Sequence, residues 1–221
     1  MQELNPQLKE FLVRLMAHTA TLETQFEIYK YLSECANSHR RDALNVAPAF
    51  FKNVQVSLTT SVILMLDKLY DERPTARRSL PHFLKSALEC YSSLLEPQRY
   101  ISDATIREQI AQIKNDKAVL DKVKKHRDKY HAHHDNRYFD NPAALSADAP
   151  LSTAEVEQLI RSGQEILKKH CLALFQTDRL MRPENARDVE DAVRSILRYT
   201  KLANDSDVQH IIRKHPEYLS D

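Results

Sequence analysis

Glycine and tryptophan are almost missing from this sequence of 221 residues, which contains one glycine and no tryptophan. Folds built from many tight β-turns need several glycines, and so do the glycine-rich loops that bind phosphate groups. The sequence therefore argues against an all-β fold and against a nucleotide-binding loop of that kind. Hydrophobic residues make up 42% of the chain. Because glycine is so rare, we expect a mostly helical chain in which the prolines mark the breaks between helices.

The chain also has no large excess of charge of one sign. Its 32 lysine and arginine residues almost balance its 31 aspartate and glutamate residues. The net charge therefore gives no general attraction to nucleic acid, and any such attraction must come from a local cluster of basic residues.

Cysteine pairs, an N-terminal leader and a long apolar run are missing as well. Cys35, Cys90 and Cys171 lie far apart and form no CxxC motif, so we expect reduced thiols. Residues Met1–Leu4 do not begin like a signal peptide. The most apolar run, Ser61–Leu66, is too short to cross a bilayer. These features predict a cytoplasmic protein with no membrane partner.

Apolar residues recur at steps of three and four along most of the chain, which is the pattern of amphipathic helices. Residues 136–150 keep no such period and predict a loop. The pattern predicts an all-α fold, a single antiparallel bundle of four long helices with extra short helices. We expect one domain over residues 1–221, with a core at about 5–180 and a helical extension at about 185–215.

The helix predicted from residue 152 to about residue 178 carries two local signals. Ser152 and Glu155 have the spacing of a capping box, which marks the start of a helix. Gly163 lies in the apolar stripe of the same helix and predicts a close crossing with another helix.

The helix predicted to begin at Ser102 breaks its own pattern near its end. Its apolar stripe runs through Ile106, Ile110, Ile113, Leu120 and Val123, and the next inward position is Arg127. A guanidinium that is buried without partners costs several kcal/mol, on the order given for unpaired buried charges. Since natural sequences break local patterns mainly at functional sites, this arginine is the first candidate functional residue.

Basic residues surround this arginine. The segment Lys114–Lys129 holds seven basic residues against three aspartates, and three histidines follow the arginine within seven positions. A local cluster of this kind suits a polyanion such as the RNA backbone. A lysine-rich face that is simply in contact with solvent has the same composition, so charge alone does not separate the two interpretations.

The segment RDKYHAHHD at residues 127–135 resembles the signature of the HEPN superfamily, an arginine followed a few residues later by a histidine near the end of a long helix. Its Arg-Asp-Lys step and its Ala-His-x-Asp ending are similar to the AbiU-like abortive-infection branch. The segments Pro48–Gln55, Leu66–Asp71 and Ser79–Pro81 resemble that branch too, so the likeness covers about residues 50–135.

The resemblance implies a metal-independent endoribonuclease that works as a homodimer, without a cofactor, in phage defence or as a toxin with an antitoxin or other regulatory partner. RNA is the implied substrate. The implied catalytic residues are Arg127, His133, His134 and Asp128, where the aspartate orients the arginine. The basic cluster and the histidines beside it predict the RNA-binding residues, which are Lys124, Lys125, Lys129, Tyr130 and His131.

Two histidines compete for the role of the acting base. The Ala-His step of the family selects His133, six positions after Arg127, which an ideal helix places about 120° from the arginine. His134, at seven positions, would share the face of the arginine. We favour His133 and keep His134 as the alternative.

Two other functions fit parts of the sequence. A metal-dependent phosphohydrolase of the HD type would use His134 and Asp135 as its dyad, with His82 or His126 as further ligands. An inactive HEPN module that binds RNA or protein would keep the helical fold and lack cleavage.

Overall fold

A computed structural model describes residues 6–76, 78–92, 101–128, 142–176 and 187–214. Within these ranges the chain forms ten helices and no strand, so the prediction of an all-α fold is confirmed. The helices are α1 (Pro6–Ala36), α2 (Arg41–Asn45), α3 (Pro48–Leu69), α4 (Leu80–Ser92), α5 (Asp103–Asn115), α6 (Lys117–His126), α7 (Pro142–Asp148), α8 (Thr153–Phe175), α9 (Asp188–Ala203) and α10 (Ser206–Lys214).

The chain divides into two compact units. The first consists of Met1–Gln25 and Thr60–Glu184, and the second consists of Phe26–Thr59 and Asn185–Asp221. Each unit contains one part of α1 and one part of α3. That the whole chain is one domain stays a prediction.

The first unit has its own hydrophobic core, built from apolar faces of five long or medium helices. Residues three or four positions apart on one helix share a face, and the buried residues follow that spacing. Representative members are Leu12, Leu15, Leu22, Leu66, Leu69, Phe83, Leu84, Ile106, Ile113, Leu159 and Leu167. This core fixes the ends of α3 and α6, which carry the candidate site.

The second unit has a smaller core where α9 packs on α2. Its buried members are Leu32, Cys35, Ala43, Leu44 and Val193, with partly buried apolar side chains around them. The thiol of Cys35 is buried and free, as the sequence predicts.

The helix predicted from Ser102 onward is divided into two helices at Asp116. Ser102 caps α5 as expected, since its hydroxyl accepts a hydrogen bond from the Thr105 N–H at 3.2 Å. Asp116 has a ψ angle of 2°, so it ends α5 and precedes α6. Asparagine and aspartate side chains compete for backbone hydrogen bonds and favour helix ends, and Asn115–Asp116 places two of them together. The prediction of one uninterrupted helix is therefore wrong.

The loop predicted over residues 136–150 contains a helix, α7 (Pro142–Asp148). Proline is favoured at the first position of a helix because its fixed φ angle suits that position. Leu145 and Ala149 are buried in a small cluster of their own. The prediction fails at these residues because seven residues are too few for a helical period to show.

Helix α3 is long and apolar enough, by length and composition, to cross a membrane. This is weak evidence, because buried helices of proteins that never enter a bilayer pass the same test. The expectation of no membrane partner and of a cytoplasmic location stays a prediction.

Candidate functional site

Arg127 lies directly after α6, where the chain is in a π-helical turn that also contains Asp128. Single π-turns are found frequently at functional sites. The side chain of Arg127 is only 13% exposed, and Val123, one turn earlier, is buried. The arginine thus lies on the inward side of the chain, where the apolar stripe predicts a leucine.

Two carboxylates hold the guanidinium of Arg127. Its Nη1 atom lies 2.5 Å from Oδ2 of Asp67, which is in the last turn of α3. Its Nε atom donates to Oδ1 of Asp128 at 2.7 Å, and its Nη2 atom lies 2.5 Å from the same oxygen. Asp67 is about as buried as the arginine, whereas Asp128 is half-exposed. The site therefore joins the end of α3 to the end of α6.

The pKa of Arg127 reflects these opposing influences. Burial disfavours the charged form, but the hydrogen bonds and charges of Asp67 and Asp128 outweigh burial and raise the pKa above its usual value. Arg127 therefore keeps its positive charge at every physiological pH.

A second pair of opposite charges fixes the segment after α3. The Nε atom of Arg73 donates to Oδ1 of Asp71 at 3.0 Å, and its Nη2 atom lies 2.6 Å from Oδ2. These hydrogen bonds lower the pKa of Asp71. The hydroxyl of Ser79 donates to the Asp71 carbonyl at 2.5 Å, and Nε2 of His82 donates to the Arg73 carbonyl at 2.9 Å. The segment is thereby tied to the start of α4.

A pocket of about 550 Å³ opens beside Arg127, between the segment after α3 and helices α5 and α6. Its apolar lining residues are Ile113 and Val123, which are buried, and Leu120, which is half-buried. Five basic and four acidic residues line it, and together they are Asp67, Asp71, Glu72, Arg73, Lys114, Lys117, Asp121, Lys124 and Arg127.

The lysines of α6 face two directions. Lys124 and Lys117 line the pocket. Lys125 instead donates to the Asp148 carbonyl at 3.3 Å, and Lys122 pairs with Glu155 at 2.5 Å. Two of the lysines predicted to bind RNA lie in α6. Of these, Lys124 faces the pocket, whereas Lys125 contacts the end of α7.

The remaining predicted site residues, Lys129, Tyr130, His131, His133 and His134, lie outside the described residues, which end at 128 before this segment. The position of an imidazole relative to Arg127 stays a prediction. His126, the last residue of α6, is described, and its Nε2 atom donates to the Ala149 carbonyl at 2.8 Å.

The described ranges contain no group of three histidine, cysteine, aspartate or glutamate side chains placed to share a metal ion. His82 and His126 each use Nε2 to donate to a backbone carbonyl. His134 and Asp135, the dyad of the HD-type alternative, lie outside those ranges.

Asp67 is the residue of this site that the sequence reasoning misses. It is 60 positions from Arg127, so no local pattern connects the two residues. The available signal is the segment Leu66–Asp71, which resembles the AbiU-like branch and contains Asp67.

A comparison with known families identifies the family of the chain. The family model of AbiU2, a HEPN family, matches residues 6–194, which is most of the chain and includes Asp67, Arg127 and all the predicted histidines. No curated protein and no solved structure matches the chain. The chain therefore belongs to the AbiU2 family of HEPN-type abortive-infection proteins, as the motif at residues 127–135 predicts.

Proposed function

We propose that this protein is a metal-independent endoribonuclease whose catalytic cation is Arg127. The observation that carries the proposal is the guanidinium itself. It is mostly buried, held by Asp67 and Asp128, and it lies in the wall of a pocket rich in lysine. The HEPN family of the chain supports the reaction type.

Some N–H donors of the guanidinium are not used by the two aspartates and are available to a substrate. Arginine has five N–H donors, and the two aspartates take one from each of its three nitrogen atoms. One donor on Nη1 and one on Nη2 remain without a partner among the described residues. Each of these two donors can bind an oxygen of a phosphate group through a charge-assisted hydrogen bond.

The proposed reaction is attack of a ribose 2′-hydroxyl on the adjacent phosphorus. A neutral imidazole, from His133 or from His134, takes the proton of the 2′-hydroxyl. Arg127 stabilises the negative charge that builds on the phosphoryl oxygens, and a protonated imidazole gives its proton to the leaving 5′-oxygen. The products carry a 2′,3′-cyclic phosphate on one fragment and a 5′-hydroxyl on the other.

The proposal includes a homodimer, in which a second copy supplies a second Arg and His pair to the same cleft. One imidazole then acts as base while the other acts as acid. It also includes a role in phage defence, where an antitoxin or another regulatory partner holds the nuclease in check in the cytoplasm.

An RNA-binding module without cleavage is the second candidate. The observation that favours it is the pairing of Arg127 with two carboxylates. Asp67 and Asp128 offset the positive charge of the guanidinium, and a phosphate must then bind beside them.

A cleavage assay separates the two candidates. Purified protein is incubated with end-labelled single-stranded RNA in excess EDTA, and the product ends are identified by mass. The nuclease proposal predicts cleavage that survives EDTA and leaves cyclic phosphate ends. His133→Ala and His134→Ala identify the acting histidine, with the exposed His39→Ala as control. Binding of RNA with no cleavage by the wild-type protein supports the module instead, and cleavage that needs added manganese supports the HD alternative.

A further inference from the structure

We infer that the pocket beside Arg127 binds one nucleotide of single-stranded RNA, next to the phosphate on which Arg127 acts. The inference rests on the proposed function for its substrate, and it adds where that substrate lies and which bases it prefers. The base lies on the apolar floor of the pocket, and the neighbouring phosphates contact the lysines at its mouth.

The shape of the pocket favours a single unpaired nucleotide. Its volume of about 550 Å³ is within the range of pockets that hold small molecules, roughly 300–1,000 Å³. A duplex cannot place a base in it, since paired bases are stacked inside the helix. Proteins that recognise RNA by its bases bind mostly unpaired nucleotides, whose bases are free to enter pockets.

The floor of the pocket suits a base. Ile113 and Val123 are almost completely buried, at 2% and 1% exposure, and Leu120 is half-buried beside them. An apolar floor under a polar rim is the usual arrangement of a small-ligand site. Ile113 and Val123 have almost no surface left in water, so the hydrophobic gain comes from Leu120, whose exposed apolar surface leaves water together with a face of the base.

The positive charge at the mouth of the pocket comes from three lysines, Lys114, Lys117 and Lys124. All three are exposed and line the pocket, and none of them forms an ion pair with any residue in the described part of the chain. Lys122 and Lys125, on the same helix as Lys117 and Lys124, have partners in α8 and at the end of α7. The three lysines facing the pocket are thus the ones available to phosphate groups.

Two exposed carboxylates on the rim, Glu72 and Asp121, point to base preference. Carboxylates accept hydrogen bonds from exocyclic amino groups, as they do from cytosine N4. Asp71, which also lines the pocket, is already bound by Arg73. We therefore expect adenine, cytosine or guanine, each with an exocyclic amino group, to bind better than uracil, whose Watson–Crick edge has only the N3–H as a donor.

Binding is tested with a labelled 2′-O-methyl oligoribonucleotide, which has no 2′-hydroxyl and so cannot be cleaved. Fluorescence anisotropy gives its affinity for the wild-type protein and for K114Q/K117Q/K124Q over a range of salt concentrations. The control K52Q/K85Q/K201Q removes the same total charge from exposed lysines outside the pocket. All six lysines are exposed, so both variants should fold, and thermal unfolding checks this.

The pocket variant should lose affinity by a factor on the order of 30 near 0.1 M salt. The slope of log K against log salt concentration should become shallower by about 2, since each of three phosphate contacts on a single strand contributes about 0.7. The control should stay within about twofold of the wild type, because electrostatic attraction at a distance is screened. Oligo-adenylate should bind more tightly than oligo-uridylate.

Equal losses in the two variants, or no loss in either, overturn the inference, and equal binding of oligo-adenylate and oligo-uridylate overturns the base preference. The proposed function fails separately. A protein that binds through the pocket lysines but cleaves no RNA contradicts the nuclease, and a nuclease that depends on Arg127 but not on these lysines contradicts the pocket.

Discussion

At the scale of single residues, the ion pair between Arg127 and Asp67 is the contact that gives the site its geometry. Both side chains are nearly buried, and they come from different helices. Such a pair contributes little net stability when it is compared with apolar residues. Removing Asp67, however, leaves the mostly buried guanidinium with Asp128, which is half-exposed, as its remaining ion-pair partner among the described residues.

Replacing Asp67 by asparagine should therefore destabilise the protein more than the same change at Asp128. The expected loss for Asp67→Asn is about 2 kcal/mol, below the roughly 3–5 kcal/mol of a fully buried pair, because Asp128 stays bound to Arg127. The expected loss for Asp128→Asn is less than about 1 kcal/mol, because its carboxylate is half-exposed and screened by solvent. Urea unfolding of the three proteins measures both losses. Equal losses would contradict the view that Asp67 is the main support of the arginine.

His170 is a second buried polar residue, in the core of the first unit. Its Nε2 atom lies 3.0 Å from Oε1 of Gln109, which can only accept, so Nε2 carries the proton. Its Nδ1 atom then accepts from the Tyr91 hydroxyl at 3.2 Å. Burial, with a smaller contribution from the charge of Lys169, lowers the pKa of His170 to about 3.

This pKa predicts how stability depends on pH. The unfolded chain binds a proton at His170 near pH 6.5, whereas the folded chain does not until about pH 3, so acid favours the unfolded chain. His170 should lower the free energy of unfolding by about 2 kcal/mol between pH 7 and pH 5. Urea unfolding at pH 7 and at pH 5 measures this change in the free energy of unfolding.

The variant His170→Asn is the control for this measurement, since its amide has a donor and an acceptor but does not titrate. It should be less stable than the wild type at pH 7 and should lose about 2 kcal/mol less between pH 7 and pH 5. If both proteins lose the same amount, the histidine is protonated in the folded protein and its assignment as neutral is wrong.

At the scale of helices, the close approach of α8 to the end of α3 depends on Gly163. A Cβ atom added there would lie 3.2 Å from the Tyr70 hydroxyl and 3.3 Å from Cδ2 of Leu69, so the predicted close crossing is confirmed. Tyr70 has little freedom to move away, because its hydroxyl donates to the Leu159 carbonyl at 2.6 Å and its side chain is buried.

Gly163→Ala should therefore destabilise the protein, although alanine favours a helix by about 1 kcal/mol over glycine. Overpacking costs about 1–3 kcal/mol, so a net loss of about 1 kcal/mol is expected in urea unfolding. Gln158→Ala, on an exposed face of the same helix, should change the stability by less than about 0.5 kcal/mol. A more stable Gly163→Ala protein would show that the crossing has room for a methyl group.

The helices also show what an apolar pattern can and cannot predict. The stripe from Ile106 to Val123 identifies α5 and α6 correctly as helical. It does not detect the break at Asp116, because Ile113 and Leu120 are seven positions apart, which is about two helical turns and keeps the stripe in phase. Helix α7 escapes detection for the opposite reason, since it has too few residues to establish a period.

At the scale of the whole molecule, composition is enough to predict the fold class. One glycine in 221 residues and a helical apolar pattern leave an all-α fold as the natural outcome, and the structure and the family match agree with it. The inward position of Arg127 is also predicted from sequence, because the residue continues the apolar stripe of its helix.

The surroundings of Arg127 are less accessible to sequence reasoning. Asp67 is distant in the chain, and only folding brings it to the arginine. The opposite directions of Lys124 and Lys125 depend on where the end of α7 lies, and that position follows from packing in the first unit. Residues that are adjacent in sequence can therefore differ in function in ways that charge alone does not predict.

The rate of RNA cleavage by Arg127→Gln in EDTA, measured under single-turnover conditions, tests the central proposal most directly. The exposed Arg14→Gln is the matched control, and urea unfolding shows whether each variant is folded. Loss of a preorganised donor to the developing charge predicts a rate roughly 100-fold or more below the wild type for Arg127→Gln, with Arg14→Gln unchanged. A folded Arg127→Gln protein that cleaves RNA within a few-fold of the wild-type rate would contradict the proposal.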